Sequence, residues 1–178
     1  RISAKGEGAM IVLASTSPFI NCKNLSSIIV EEGNPIYDSR DDCNSIIESA
    51  TNTLVYGCNN STIPNSVTAI GMTAFYNCSF TSMTIPDGVT TIGHSAFAYC
   101  ENLTEITIPN SVTSIGEQAF SNCTALTTVK LSESIKEIGI ATFENCSSLT
   151  SISLPDGLPT LGDNAFAYCT GATITIPE

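Results

Sequence analysis

The chain has 178 residues, enough for one domain with a substantial core, and its 42% of hydrophobic residues exclude a disordered chain. Charged residues make up only 13%, so we expect a surface of neutral Ser, Thr and Asn side chains, which suits strands and turns. Six Lys and Arg against 17 Asp and Glu give a net charge of -11, which argues against nucleic acid and anionic membrane surfaces as partners.

The N-terminal segment, residues 1–30, is predicted to form an irregular first coil. Residues 9–14 are a short apolar stretch that we interpret as a strand, because it is far too short to span a bilayer. Glu7 stands where a signal peptide would carry basic residues. The chain begins with Arg1, not Met, so we expect that a leader or upstream region has been removed. We expect no membrane-spanning segment.

Residues 31–62 are predicted to form an irregular insert that contains a β-hairpin. The two predicted strands are residues 44–48 and Thr53–Tyr56, with a turn at residues 49–52. A hairpin centred between residues 50 and 51 would place Cys43 opposite Cys58. A disulfide between these cysteines and a pair of free thiols both remain open, because disulfide geometry is strict.

From residue 63 to the end, one unit recurs with a period of 23 residues, shortened by one residue between Cys78 and Cys100. Ile106 and Ile108 alternate with polar residues, which predicts a strand with one buried face. Pro109 ends this strand, since proline cannot donate to a ladder. Gly116 is expected to take a backbone conformation that other residues resist. Residues 117–122 are predicted to form one or two helical turns.

Stacking of these units predicts columns of equivalent side chains and a continuous core. The strands are expected to lie about 4.8 Å apart in a parallel sheet. The predicted aromatic column begins at Phe19 and continues through Phe75, Phe97, Phe120, Phe143 and Phe166. A second predicted column consists of small buried thiols that we interpret as free, namely Cys22, Cys78, Cys100, Cys123, Cys146 and Cys169.

The unit Leu-x-x-Ile-x-Ile-Pro, followed by Val-x-x-Ile-Gly-x-x-Ala-Phe-x-x-Cys, resembles the leucine-rich repeats of BspA-like bacterial surface proteins. The resemblance is strong over residues 60–178 and looser over residues 17–30. It implies an α/β solenoid: a right-handed leucine-rich-repeat coil with a parallel β-sheet, short helical or 3-10 turns and the inserted β-hairpin. Residues 1–178 are then a single domain.

The open face of the parallel sheet is the predicted binding surface, since solenoids commonly bind ligands on such a face. Its outward positions carry hydroxyl groups and only two charges, Glu105 and Lys130, which could pair across adjacent strands. The predicted face consists of Ser82, Thr84, Glu105, Thr107, Thr128, Lys130, Ser151 and Ser153, and it continues to Thr173 and Thr175.

The resemblance implies a bacterial protein that is secreted or held at the cell surface. Its implied role is adhesion through a protein partner, such as a host extracellular-matrix or plasma protein. Two alternatives remain open, a passive spacer within a larger surface protein and a carbohydrate-binding module. The predicted face lacks the aromatic residues on which sugars stack, which weighs against the second alternative.

We predict neither an enzyme nor a bound cofactor. The single histidine, His94, lacks a recognisable nucleophile and orienting acid. No Cys-x-x-Cys occurs, which argues against zinc. The densest cluster of oxygen ligands does not match the spacing of a calcium loop, so no metal site is predicted there. That cluster is Asp38, Asp41, Asp42 and Asn44.

Overall fold

The computed structural model describes residue 19 and residues 22–177, so the strand predicted at residues 9–14 lies outside the described residues. The described chain is a parallel β-solenoid with almost no helix, which confirms the predicted fold class. Its strands are β1 (Tyr37–Asp38), β2 (Ile46–Glu48), β3 (Thr53–Tyr56), β4 (Ala69–Ile70), β5 (Ser82–Thr84), β6 (Thr91–Ile92), β7 (Glu105–Thr107), β8 (Ser114–Ile115), β9 (Thr128–Lys130), β10 (Glu137–Ile138), β11 (Ser151–Ser153), β12 (Thr160–Leu161) and β13 (Thr173–Thr175).

Five strands form the parallel sheet that the alternation predicted. They lie in the order β13-β11-β9-β7-β5, and equivalent residues of successive coils face one another. Glu105 faces Thr128 and Ile106 faces Val129. The central residues Ile106, Val129 and Ile152 are buried, while their neighbours on either side are exposed. We call this the five-strand sheet.

A second sheet of eight strands was not predicted. Its order is β1-β2-β3-β4-β6-β8-β10-β12, and all neighbours from β3 onward are parallel. Each regular coil contributes only two residues to it, such as Ser114–Ile115. Ile115 points into the core, but a strand of two residues is too short to show the alternation that identifies a strand in a sequence.

The predicted hairpin is confirmed, with β2 antiparallel to β3. The hairpin is part of the eight-strand sheet, because β3 pairs with β4. A register shift between Ile46 and Ile47 alters the expected alignment of the cysteines. Cys43 packs with Ile47, and Cys58 packs with Ile46 in a separate core cluster. Both thiols are free in the structure.

The segment after each repeat glycine is a series of turns, so the helical turns predicted at residues 117–122 were wrong. Gln118 and Asn122 have φ values of 56° and 62°, and left-handed residues interrupt a right-handed helix. Within the described chain the single 3-10 segment is Arg40–Asp42. The expectation for Gly116 was also wrong, since its φ is not positive. It is glycine because a Cβ there would lie 2.6 Å from the backbone nitrogen of His94 in the preceding coil.

The aromatic column is confirmed from Phe75 to Phe166. Adjacent rings are nearly parallel, with centroids 5.2 Å to 5.5 Å apart. Phe19 does not begin this column, because it packs edge-on against Tyr56 in the smaller core cluster.

The thiol column is buried at Cys100, Cys123 and Cys146 and partly buried at both ends, Cys78 and Cys169. Cys22 is exposed, so its predicted place in the column was wrong. The column starts one coil after the hairpin because the regular stacking starts there.

Candidate functional site

The five-strand sheet places the predicted surface residues on one exposed face. Ser82, Thr84, Glu105, Thr107, Thr128, Lys130, Ser151 and Ser153 flank the central residues of β5, β7, β9 and β11, and all eight are exposed. Thr173 and Thr175 extend the same face along β13. We call this surface the open face.

The threonines that precede β7, β9 and β11 hold the backbone of the open face in register. Thr104 donates from its side chain and from its backbone nitrogen to the carbonyl of Thr81, at 3.1 Å and 3.0 Å. Thr127 makes the same two bonds to Thr104, and Thr150 makes them to Thr127. Because the coils of β7, β9 and β11 are each tied to the preceding one in this way, the exposed side chains of these strands stand on a rigid support.

The two charges predicted to pair lie diagonally across β7 and β9. Glu105 faces Thr128, and Lys130 faces Thr107. Within residues 22–177 no ion pair joins Glu105 to Lys130. Both side chains therefore remain available to a ligand.

One end of the open face contains a shallow hollow of about 450 Å³. Its polar rim includes Glu105 and Asp87, and the partly buried Met83 supplies apolar surface above the buried Ile106 and Pro109. No Lys or Arg lines it. Asp87 was missed in the sequence because it follows its strand in a turn, where alternation gives no orientation. The hollow combines two carboxylates with apolar surface.

The histidine and the acidic cluster considered in the sequence do not form a site. His94 is exposed and follows the repeat glycine, at the position that Met72 occupies in the preceding coil. The Asp38 carboxylate accepts hydrogen bonds from Arg40 Nε at 2.7 Å and from Ser49 Oγ at 2.6 Å. The Arg40 hydrogen bond holds the pKa of Asp38 at about 2, below its usual range. Among the described residues, no three His, Cys, Asp or Glu side chains are grouped to hold a metal ion.

The column thiols act as internal hydrogen-bond donors. Cys100 Sγ donates to the Phe75 carbonyl at 3.1 Å, and Cys123 Sγ donates to the Phe97 carbonyl at 3.2 Å. Burial raises the pKa of the Cys78 thiol to about 12 and raises the pKa of Cys100 and Cys123 well above the usual value. Thiols with so little thiolate are poor nucleophiles and poor metal ligands.

Comparison with known protein families identifies the repeat. Residues 45–173 match the BspA type leucine rich repeat region in six copies. The chain belongs to the BspA-type leucine-rich-repeat family. The BspA-type region is a structural repeat and is not defined by any catalytic residues. A comparison with proteins of curated function found no match.

Solved structures of bacterial leucine-rich-repeat proteins share the fold. A leucine-rich repeat protein from Eubacterium ventriosum is 28% identical, with a TM-score of 0.79 over 89% of this chain and 44% of that chain. A leucine rich cell surface protein from Faecalibacterium prausnitzii is 27% identical, with a TM-score of 0.63 over 90% and 44%. The pneumococcal vaccine antigen PcpA is 28% identical, with a TM-score of 0.58 over 74% and 33%. The chain thus spans less than half the length of these three relatives.

Within the described residues, no helix has the length and hydrophobicity that crossing a bilayer requires.

BspA-type repeats belong to bacterial surface antigens, and a general role in protein interaction fits the family.

Proposed function

We propose that this chain belongs to a secreted or cell-surface bacterial protein and that its open face binds a protein partner. The observation that carries the proposal is the rigid strand face, on which each of five stacked strands presents two exposed side chains. A preorganised backbone loses little conformational entropy when a partner binds. Short Ser and Thr side chains lose less rotamer freedom than long ones when they are covered.

The hollow at β5 and β7 suggests the chemistry of the partner. Asp87 and Glu105 are its charged groups, and the partly buried Met83 provides apolar surface beside them. A Lys or Arg side chain fits this combination, because its methylene stem packs on apolar surface while its charge meets carboxylates. The net charge of -11 would also speed association with a basic protein. We therefore propose a basic protein partner, such as a host extracellular-matrix or plasma protein to which the bacterium adheres.

The test is a binding screen of the purified chain against arrayed extracellular-matrix and plasma proteins. An Asp87→Asn/Glu105→Gln variant removes both charges of the hollow with little change in shape. A Glu117→Gln/Glu137→Gln variant removes two exposed charges outside the open face and serves as the matched control. We expect saturable binding that weakens about tenfold or more in the first variant, changes little in the control and falls with added salt.

Two results would contradict the proposal. Equal weakening in both variants would mean that overall charge, not the open face, attracts the partner. Capture of no protein at all would favour the alternative of a passive spacer.

A further inference from the structure

Two tyrosines form an exposed aromatic shelf on the turns, away from the open face. The Tyr76 and Tyr99 rings have centroids 5.2 Å apart and are tilted by 46°. Tyr99 remains 40% exposed, although it contacts the other ring. Burial and the neighbouring Tyr99 raise the pKa of the Tyr76 hydroxyl, which therefore stays protonated as a hydrogen-bond donor. The shelf is independent of the surface proposed above.

The backbone at Tyr99 does not favour tyrosine. The sixth residue after the repeat glycine is left-handed in each regular coil, with φ values of 60° to 62° at Asn77, Tyr99, Asn122 and Tyr168 and 57° at Asn145. Asn adopts this conformation more readily than an aromatic residue, which accounts for Asn in three of the five coils. A tyrosine at this position, with much of its ring in solvent, contributes little to the core. Tyr99 therefore adopts a backbone conformation that its side chain does not favour, as Tyr168 does in a later coil.

The shelf borders a hollow of about 220 Å³ that also contacts Gln118, Asn122 and Glu144. Asn122 is fixed, because its amide donates to Ser121 Oγ at 2.8 Å and its carbonyl accepts from Asn145 at 2.8 Å. The Glu144 carboxylate is partly buried and takes part in no hydrogen bond or ion pair within residues 22–177. The hollow therefore offers aromatic surface beside an unpaired acceptor and a fixed amide.

We propose that this hollow binds one ring of a neutral glycan. The apolar C–H face of a sugar stacks on aromatic rings, and its hydroxyls donate to carboxylate and amide oxygens and accept from amide and phenol groups. A volume below the roughly 300–1,000 Å³ of pockets for drug-sized ligands suits one ring, with the rest of the glycan in solvent. A protein partner would need a far larger surface, about 800 Å² on each side.

The charge of the hollow selects against acidic glycans. Glu144 is its charged residue, and no Lys or Arg lines it. A sialic acid or a sulfate group would be repelled by this carboxylate and by the net charge of -11 on the chain. Neutral hexoses and N-acetylhexosamines carry no such penalty.

The experiment is saturation-transfer NMR, followed by titration, with cellotriose, maltotriose and N-acetylchitotriose as neutral probes and sialyllactose as the acidic probe. The test variant is Tyr99→Asn, which removes the ring and installs the residue that Asn122 and Asn145 place in the same backbone conformation. The matched control is Tyr168→Asn, the same substitution at the equivalent position of a later coil, where the ring is 70% exposed and outside the hollow. Circular dichroism checks that both variants remain folded.

We expect at least one neutral trisaccharide to bind and sialyllactose to bind more weakly. Tyr99→Asn should lower the affinity by about tenfold or more, and Tyr168→Asn should leave it unchanged. The proposal is overturned if none of the three neutral probes binds. It is equally overturned if the two variants bind alike, because the sugar would then not lie on the shelf.

Discussion

A single methyl group at the repeat glycine is expected to disturb the stacking of two neighbouring coils. In a Gly116→Ala variant, the new Cβ would lie 2.6 Å from the nitrogen and 3.0 Å from the Cα of His94, and 2.8 Å from the carbonyl carbon of Gly93. All three are backbone atoms of the preceding coil, and favourable contacts need about 3.5–4.0 Å. No side chain can rotate away to relieve the clash, so the two coils must separate locally.

The magnitude follows from what resists this separation. Gly116 N donates to the Ile92 carbonyl at 2.8 Å, and this bond lies beside the clash. Overpacking of this kind costs about 1–3 kcal/mol. Replacing glycine by alanine also restricts the unfolded chain, which stabilises the folded protein by about 0.4–1 kcal/mol where the native φ is compatible with alanine. We therefore expect a net loss of about 1–2 kcal/mol in the free energy of unfolding.

The assay is urea unfolding followed by far-UV circular dichroism. Gly171→Ala is the matched control, because the nearest atom to its added Cβ is the Leu149 carbonyl oxygen at 3.9 Å. It should be neutral or slightly stabilising. Gly139→Ala should be intermediate, since its closest contact is 3.0 Å. A Gly116→Ala variant as stable as wild type, or equal losses at Gly116 and Gly171, would refute this explanation of the glycine column.

Three further outcomes are expected. Phe120→Ala should lower the free energy of unfolding by about 3–5 kcal/mol, because the Phe120 ring is fully buried between two stacked neighbours. A much smaller loss in urea unfolding would contradict this expectation. Wild type should be more stable than Asp38→Asn above pH 4. The difference in stability should vanish as the pH falls through about 2, which is the pKa of Asp38 in the folded protein. The midpoints of urea unfolding at pH 7 and pH 2 test this expectation. Iodoacetamide should label exposed Cys22 in the native protein and leave buried Cys123 unmodified, and mass spectrometry of labelled Cys123 in folded protein would contradict the buried column.

The open-face strands were predictable because a buried residue between two polar ones identifies a strand with one solvent face. In Glu105–Thr107 and Thr128–Lys130 the central residue is buried and its two neighbours are exposed. The second sheet was missed because its strands, such as Glu137–Ile138, are too short to alternate. The predicted helical turns were wrong because the tight coil needs left-handed residues there, and Asn122 was the available signal.

The two surface hollows could not be predicted from the sequence, because each is lined by residues from different coils. Glu105 was identified from its strand, but its neighbour Asp87 comes from the turn of the preceding coil. Tyr76, Tyr99 and Glu144 come from three further turns and meet only through stacking. The repeat period predicts which residues share a column, whereas it does not predict how far a side chain reaches between columns.

Blocking the middle of the open face tests most directly whether this face binds the partner. Thr128 lies on β9, the central strand of the five-strand sheet, and is exposed. Thr128→Arg adds bulk and positive charge there, and Ser114→Arg adds the same group to an exposed position of the eight-strand sheet. Affinity for the partner captured in the screen should fall about tenfold or more in Thr128→Arg and stay unchanged in Ser114→Arg. Unchanged affinity in Thr128→Arg would contradict the account and place the binding surface elsewhere on the solenoid.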